Sequence, residues 1–193
     1  MPTFGETDNE DTEQFYSGET LACRFYCPDF ASVLKMSAYV DNRDAVIIHN
    51  IVVGIYNDNS GLIGTHIVHS SPISIPGNYG DFIDVSINCN LPAGYYWLCL
   101  AFDSSRLSFG WVDNPSFDIR SFIASFGSWP DNPSSFASYV EIALSIYATY
   151  DIFVSPNRIN KRSPTGQTCF VGQYIKHCRN GTPPWRLPSG ETF

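Results

Sequence analysis

The sequence predicts an all-β fold, an antiparallel β-sandwich. Three features carry this. Apolar and polar residues alternate over several short segments, clusters of Gly, Pro, Asn and Asp separate those segments, and no stretch has convincing helical periodicity. A βαβ pattern is absent, which argues against a parallel sheet. About eight or nine strands with long connections fit a jelly roll best, because two sheets then share one core and few edges stay bare.

Taken in order, residues 1–18 read as an acidic, mostly irregular lead-in. Over 20–27, Leu21, Cys23, Phe25 and Cys27 alternate with Ala22, Arg24 and Tyr26, a half-buried strand ended by Pro28. Leu34, Met36, Ala38 and Val40 repeat the pattern. Residues 45–56, rich in Val and Ile, read as a strand covered on both faces. The cluster from Asn57 to Gly61 is a turn, and 62–70 returns as its hairpin partner. Pro72, Pro76, Gly77 and Gly80 mark a long connection. Residues 82–89 alternate again, with Ile83, Val85, Ile87 and Cys89 inward. After a turn at 91–94, residues 95–102 form an aromatic strand and 107–112 a short one. A looser stretch runs to about Ser138, with room for a short helical turn over 119–126. A last strand over 139–150 closes the sandwich, which spans 19–154.

Residues 155–193 differ in kind. Prolines recur, and Arg158, Lys161, Arg162, Lys176, Arg179 and Arg186 face Glu191 as the one acid. The preceding 154 residues hold 18 acids and five bases, a net −13, so a net +5 arm follows an acidic body. Such asymmetry points to an interaction segment. Too short to bury a core, the segment reads as an extended C-terminal arm that docks on its own body or on a neighbour. An acidic body repels phosphate, so nucleic acid is an unlikely partner. No run of 18 apolar residues is present to span a membrane, and no secretory-signal pattern opens the chain. The thiols are therefore expected to be reduced, with Cys169 and Cys178 the pair most open to bridging.

Catalytic motifs are absent: there is no Gly-x-Ser-x-Gly, P-loop, dinucleotide-binding glycine pattern or His-Glu-x-x-His. The chain is expected not to be an enzyme and to need no cofactor. His66 and His69 attract attention, but residues three apart on a regular strand point to opposite faces and would not share a metal. A structural calcium is a candidate near Asp41, Asp44 and Asp58, which sit in oxygen-rich turns. The more specific signal is an internal echo: Trp111, Asp113 and Asn114 recur as Trp129, Asp131 and Asn132. A flat indole beside planar hydrogen-bonding groups suits a sugar. Asn-Pro-Ser also makes turns, and a loop Trp often anchors its turn to the core.

Several short stretches, among them 4–7, 22–25, 33–39, 53–58, 91–98 and 145–150, resemble the jelly-roll modules of bacteriophage and archaeal-virus structural proteins and of extracellular carbohydrate-binding-like proteins. That resemblance covers 4–150 and implies a virion structural protein: a capsid-decorating, surface or tail-appendage component. Its expected partners are copies of itself or another virion protein, met through the basic arm. Surface glycans, held by the loop Trp, Asp and Asn residues, are the alternative, as is an extracellular location.

Overall fold

The computed structural model describes residues 1–14, 19–134 and 137–152, and every helix-or-strand element among them is a β-strand. The predicted antiparallel sandwich is what forms. The expected arm over 155–193, its six basic residues, and Cys169 and Cys178 lie outside the described residues.

One layer is built on β4 (Ala31–Asn42). Along one edge of β4 lies β8 (Tyr79–Leu91); along the other, from Ala31 to Ala38, lies β12 (Ile146–Ile152). The lead-in strand β1 (Thr3–Gly5) pairs with β12. The second layer runs in the order β3 (Glu19–Cys27), β9 (Gly94–Phe102), β5 (His49–Asn59). The outer edge of β5 is shared by β6 (Leu62–His69) and the short β7 (Ile73–Ile75). The layers are joined by β10 (Leu107–Ile123), whose first residues pair with β4 and whose last pair with β3. Beside it run β2 (Asp11–Gln14) and β11 (Ala137–Leu144). Every pairing is antiparallel; a jelly roll is a finer description than these pairings establish.

Alternation explains the core. Leu21, Cys23, Phe25 and Cys27 of β3 are all buried, and they face Val33, Met36 and Val40 of β4 in the main cluster between the layers. A smaller cluster, with Tyr56, Trp97, Cys99 and Phe122, lies apart from it. In β8, Val85 and Ile87 are buried and Asp84, Ser86 and Asn88 exposed, as expected.

Five expectations need correction. The lead-in is only partly irregular among its described residues, since β1 and β2 both enter the sheet, where backbone pairing needs no apolar pattern. Residues 107–112 are only the start of β10, which continues to Ile123, so 119–126 holds strand where a helical turn was expected. Two features of β10 hide this. Its register shifts between Asp113 and Asp118, and that break accommodates Pro115 without a missing ladder bond. Beyond it, Ile119 enters the main cluster and Phe122 the smaller one, so apolar residues lie on both faces and blur the period of two. The last strand is two strands, parted at Ser145, whose N–H donates to the Gly110 carbonyl. The long connection after 70 holds β7. Finally, strand structure in 45–56 starts at His49, and Val46, Ile47 and Ile48 are exposed.

Candidate functional site

The chemically richest region is the outward face of the second layer. Cross-strand register sets its rows. Ala22 opposes Cys99, Cys99 opposes Gly54, and Gly54 opposes His69, giving one row of three small residues ended by a histidine. Beside it, Arg24, Trp97, Tyr56 and His66 form a second row. A third begins with the direct pair Tyr26 and Tyr95.

The small-residue row is a trough, and Trp129 lies in it. A Cβ on Gly54 would come within 2.5 Å of the Trp129 indole, so this contact requires glycine. The indole stacks on His69 with centroids 5.4 Å apart and planes 8° from parallel. His66 and Tyr56 lie 5.8 and 6.0 Å away by the same measure. Asp131 and Asn132 fix the loop: an Asp131 carboxylate oxygen accepts the His66 backbone N–H at 2.9 Å, and the Asn132 N–H donates to the Gly64 carbonyl. Asn132 holds φ 50°, a left-handed conformation that Asn tolerates.

The two echoed motifs occupy different settings. Trp111, Asp113 and Asn114 lie on β10, and Trp111 packs on the main cluster, whereas Trp129 packs on the smaller one. Asn114 accepts the Ser116 N–H at the register break of β10. The repeat therefore marks an irregular stretch of strand and a loop, and its two indoles pack on different clusters.

A regular strand would separate His66 and His69. Here Ile55 opposes Val68 but Tyr56 opposes His66, so Ile67 is an extra residue in β6. This β-bulge resets the alternation and turns both histidines to the same face. His69 Nδ1 and His66 Nε2 are 3.1 Å apart, which corrects the opposite-face expectation. Burial, then the neighbouring His69, hold the His66 pKa below its ordinary value.

At the other end of the face, Tyr26 and Tyr95 are about half exposed, at 52% and 49%, with ring centroids 5.0 Å apart. The Arg24 guanidinium sits 3.9 Å from the Tyr95 ring centre, and Arg24 is held by Asp58 in a bidentate pair at 2.7 and 2.8 Å. The place of Tyr26 opposite Tyr95 depends on cross-strand pairing that the sequence of one strand does not reveal.

Neither a family model nor a curated protein matches this chain.

The calcium candidates are engaged elsewhere. Asp58 accepts from Arg24, the Gly61 N–H and Trp97 Nε1. Asp41 pairs with Arg43, and Asp44 with His49 and Arg106. Among the described residues, no three His, Cys, Asp or Glu side chains converge as a metal cage. Cys23, Cys27 and Cys99 are buried, and burial raises the pKa of the Cys99 thiol.

A second surface feature is the loop that enters β5. Val46 is 88% exposed, with Ile47 and Ile48 beside it also exposed. Yet the loop is firmly held. Buried Asn42 donates through Nδ2 to the carbonyls of Ile47, Ile75 and Pro76, at 3.0 to 3.1 Å. Its Oδ1 accepts the Asp44 N–H. His49 lies between Asp44, at 3.2 Å, and Asp103, at 3.8 Å.

Proposed function

We propose that this chain is a non-catalytic assembly protein, a structural component of a virion surface or appendage that packs against copies of itself. The observation that supports this reading is the apolar tip at Val46, Ile47 and Ile48, presented to solvent on a loop fixed by Asn42. An apolar tip that is already ordered loses little conformational freedom on docking, so more of its burial becomes affinity. The virion role rests on the sequence resemblance and on the −13 body with its +5 segment, a pairing of charges that suits neighbouring copies.

Light scattering of the full chain across concentration tests this. Oligomers are expected, and Val46→Asp with Ile48→Asp should dissociate them without lowering the melting temperature. Deletion of 155–193, or added salt, should also weaken them. A full-length monomer at every concentration, unchanged by these substitutions, overturns the reading.

A second reading, a carbohydrate-binding module, is favoured by one observation: the half-exposed Tyr26 and Tyr95 with Arg24 stacked beside them. Tyr rings cover the apolar face of a pyranose, and a guanidinium donates to its hydroxyls. On a glycan array, Tyr95→Ala should lose at least most of the signal while its circular dichroism stays native. An empty array for the wild-type chain rejects this alternative.

A further inference from the structure

We propose that His66 and His69 form a binding site for a divalent transition-metal ion of the Zn²⁺, Ni²⁺ or Cu²⁺ class, open to solvent on its remaining coordination positions. The bulge at Ile67 is the structural cause, because it places two imidazoles on one face of an edge strand. The facing nitrogens are 3.1 Å apart. Two metal–nitrogen bonds of ~2.05 Å span that distance at an angle of about 98°, between square-planar and tetrahedral values, after small ring rotations. Imidazole is the donor these ions favour, and calcium is not expected to compete.

The local chemistry agrees. Two neutral imidazoles in contact share one proton: one nitrogen donates and the other accepts. A metal ion takes that place by binding both lone pairs and releasing the tautomeric proton to the distal nitrogen of its ring. The carboxylate of Asp131, bonded to the His66 backbone, adds negative charge beside the pair. The rings of Tyr56 and Trp129 border the two histidines, and their buried Oη and Nε1 atoms meet no partner among the described residues. A bound water or anion on the open metal positions would give such donors an acceptor.

Trp129 supplies the reporter, since its indole is stacked on His69. The full chain, stripped with a chelator, is titrated with Ni²⁺ by fluorescence and with Zn²⁺ by calorimetry. One ion per chain is expected, with Trp129 emission quenched by Ni²⁺ and restored by chelator. His66→Ala and His69→Ala should each weaken binding about tenfold or more. His66→Gln keeps a hydrogen-bonding side chain but should bind as weakly as His66→Ala, which separates loss of a ligand from loss of structure. His49→Ala and His177→Ala should bind as wild type, and Trp129→Phe should keep the calorimetric signal while losing the quench. Wild-type affinity in both the His66 and His69 variants, or no binding at millimolar ion, overturns the proposal.

Discussion

Asp58 illustrates how one side chain is fixed by several demands. It lies in a tight turn in which Ser60 and Gly61 both take left-handed φ values, 54° and 85°. Its carboxylate accepts the Gly61 N–H at 3.1 Å and so caps its own turn. The same carboxylate closes a bidentate pair with Arg24 and accepts Trp97 Nε1 at 3.1 Å. Burial opposes its ionisation, but these donors outweigh burial and hold the carboxyl below its ordinary value. The sign follows from linkage. A carboxyl with a lower pKa folded than unfolded stabilises the fold above the unfolded value, about 3.9, and loses that contribution as pH falls through the folded value. Asp58→Ala should therefore lower unfolding free energy at pH 7 by about 1–3 kcal/mol, because Trp97 Nε1 and Arg24 lose their acceptor. Urea midpoints at pH 7 and at acid pH check this. The deficit should shrink in acid; an equal deficit at both would assign the loss to packing.

At the scale of elements, the loop before β5 depends on Asn42. One amide donates to three carbonyls from two segments, a role that no aliphatic side chain can fill. Gly77 backs the same loop, where a Cβ would lie 2.4 Å from the Asp44 carbonyl. Asn42→Ala should cost about 3 kcal/mol, roughly 1 for each of the two Nδ2 protons shared among these carbonyls and 1 for the bond Oδ1 accepts from Asp44, and amide exchange should speed up across 43–48 while β9 stays protected. Exchange that is unchanged there would show the loop to be held by Asp44, His49 and Arg106 instead. How legible each element is in the sequence depends on its surroundings. Strands β3 and β8 each keep one neighbour along most of their length, so their inward residues follow the period of two, whereas a register shift between Val33 and Lys35 breaks it in β4 and buries Val33 where alternation points to Leu34. Strand β10 changes partners midway and is apolar on both faces at its end, so no single period describes it. The His66 and His69 pair is hidden by a bulge, which local alternation cannot reveal. Trp129 was recognisable as a loop anchor, but its seat was not. Ala22, Cys99 and Gly54 come from three strands, and only register aligns them.

For the whole molecule, β10 is the coupling element. Its start pairs with β4 in one layer and its end with β3 in the other, while β11 follows both parts. Separating the layers would break a continuous 17-residue strand, leaving its backbone donors and acceptors without partners. The main cluster adds to this, because Met36 of one layer and Leu98 of the other are fully buried in it. Damage on one side should therefore spread to both. Met36→Ala removes a fully buried side chain from β4 and should cost about 2–5 kcal/mol by lost transfer energy and the cavity left behind. Trp97 and Trp129 belong to the smaller cluster, on the second layer's outward face. In a background with both Trp111→Phe and Trp185→Phe, their fluorescence should nonetheless shift its denaturant midpoint as far as circular dichroism does, with coincident curves with and without Met36→Ala. If the tryptophan midpoint stays in place while circular dichroism moves, the layers unfold separately, and β10 bridges them without making them one cooperative unit.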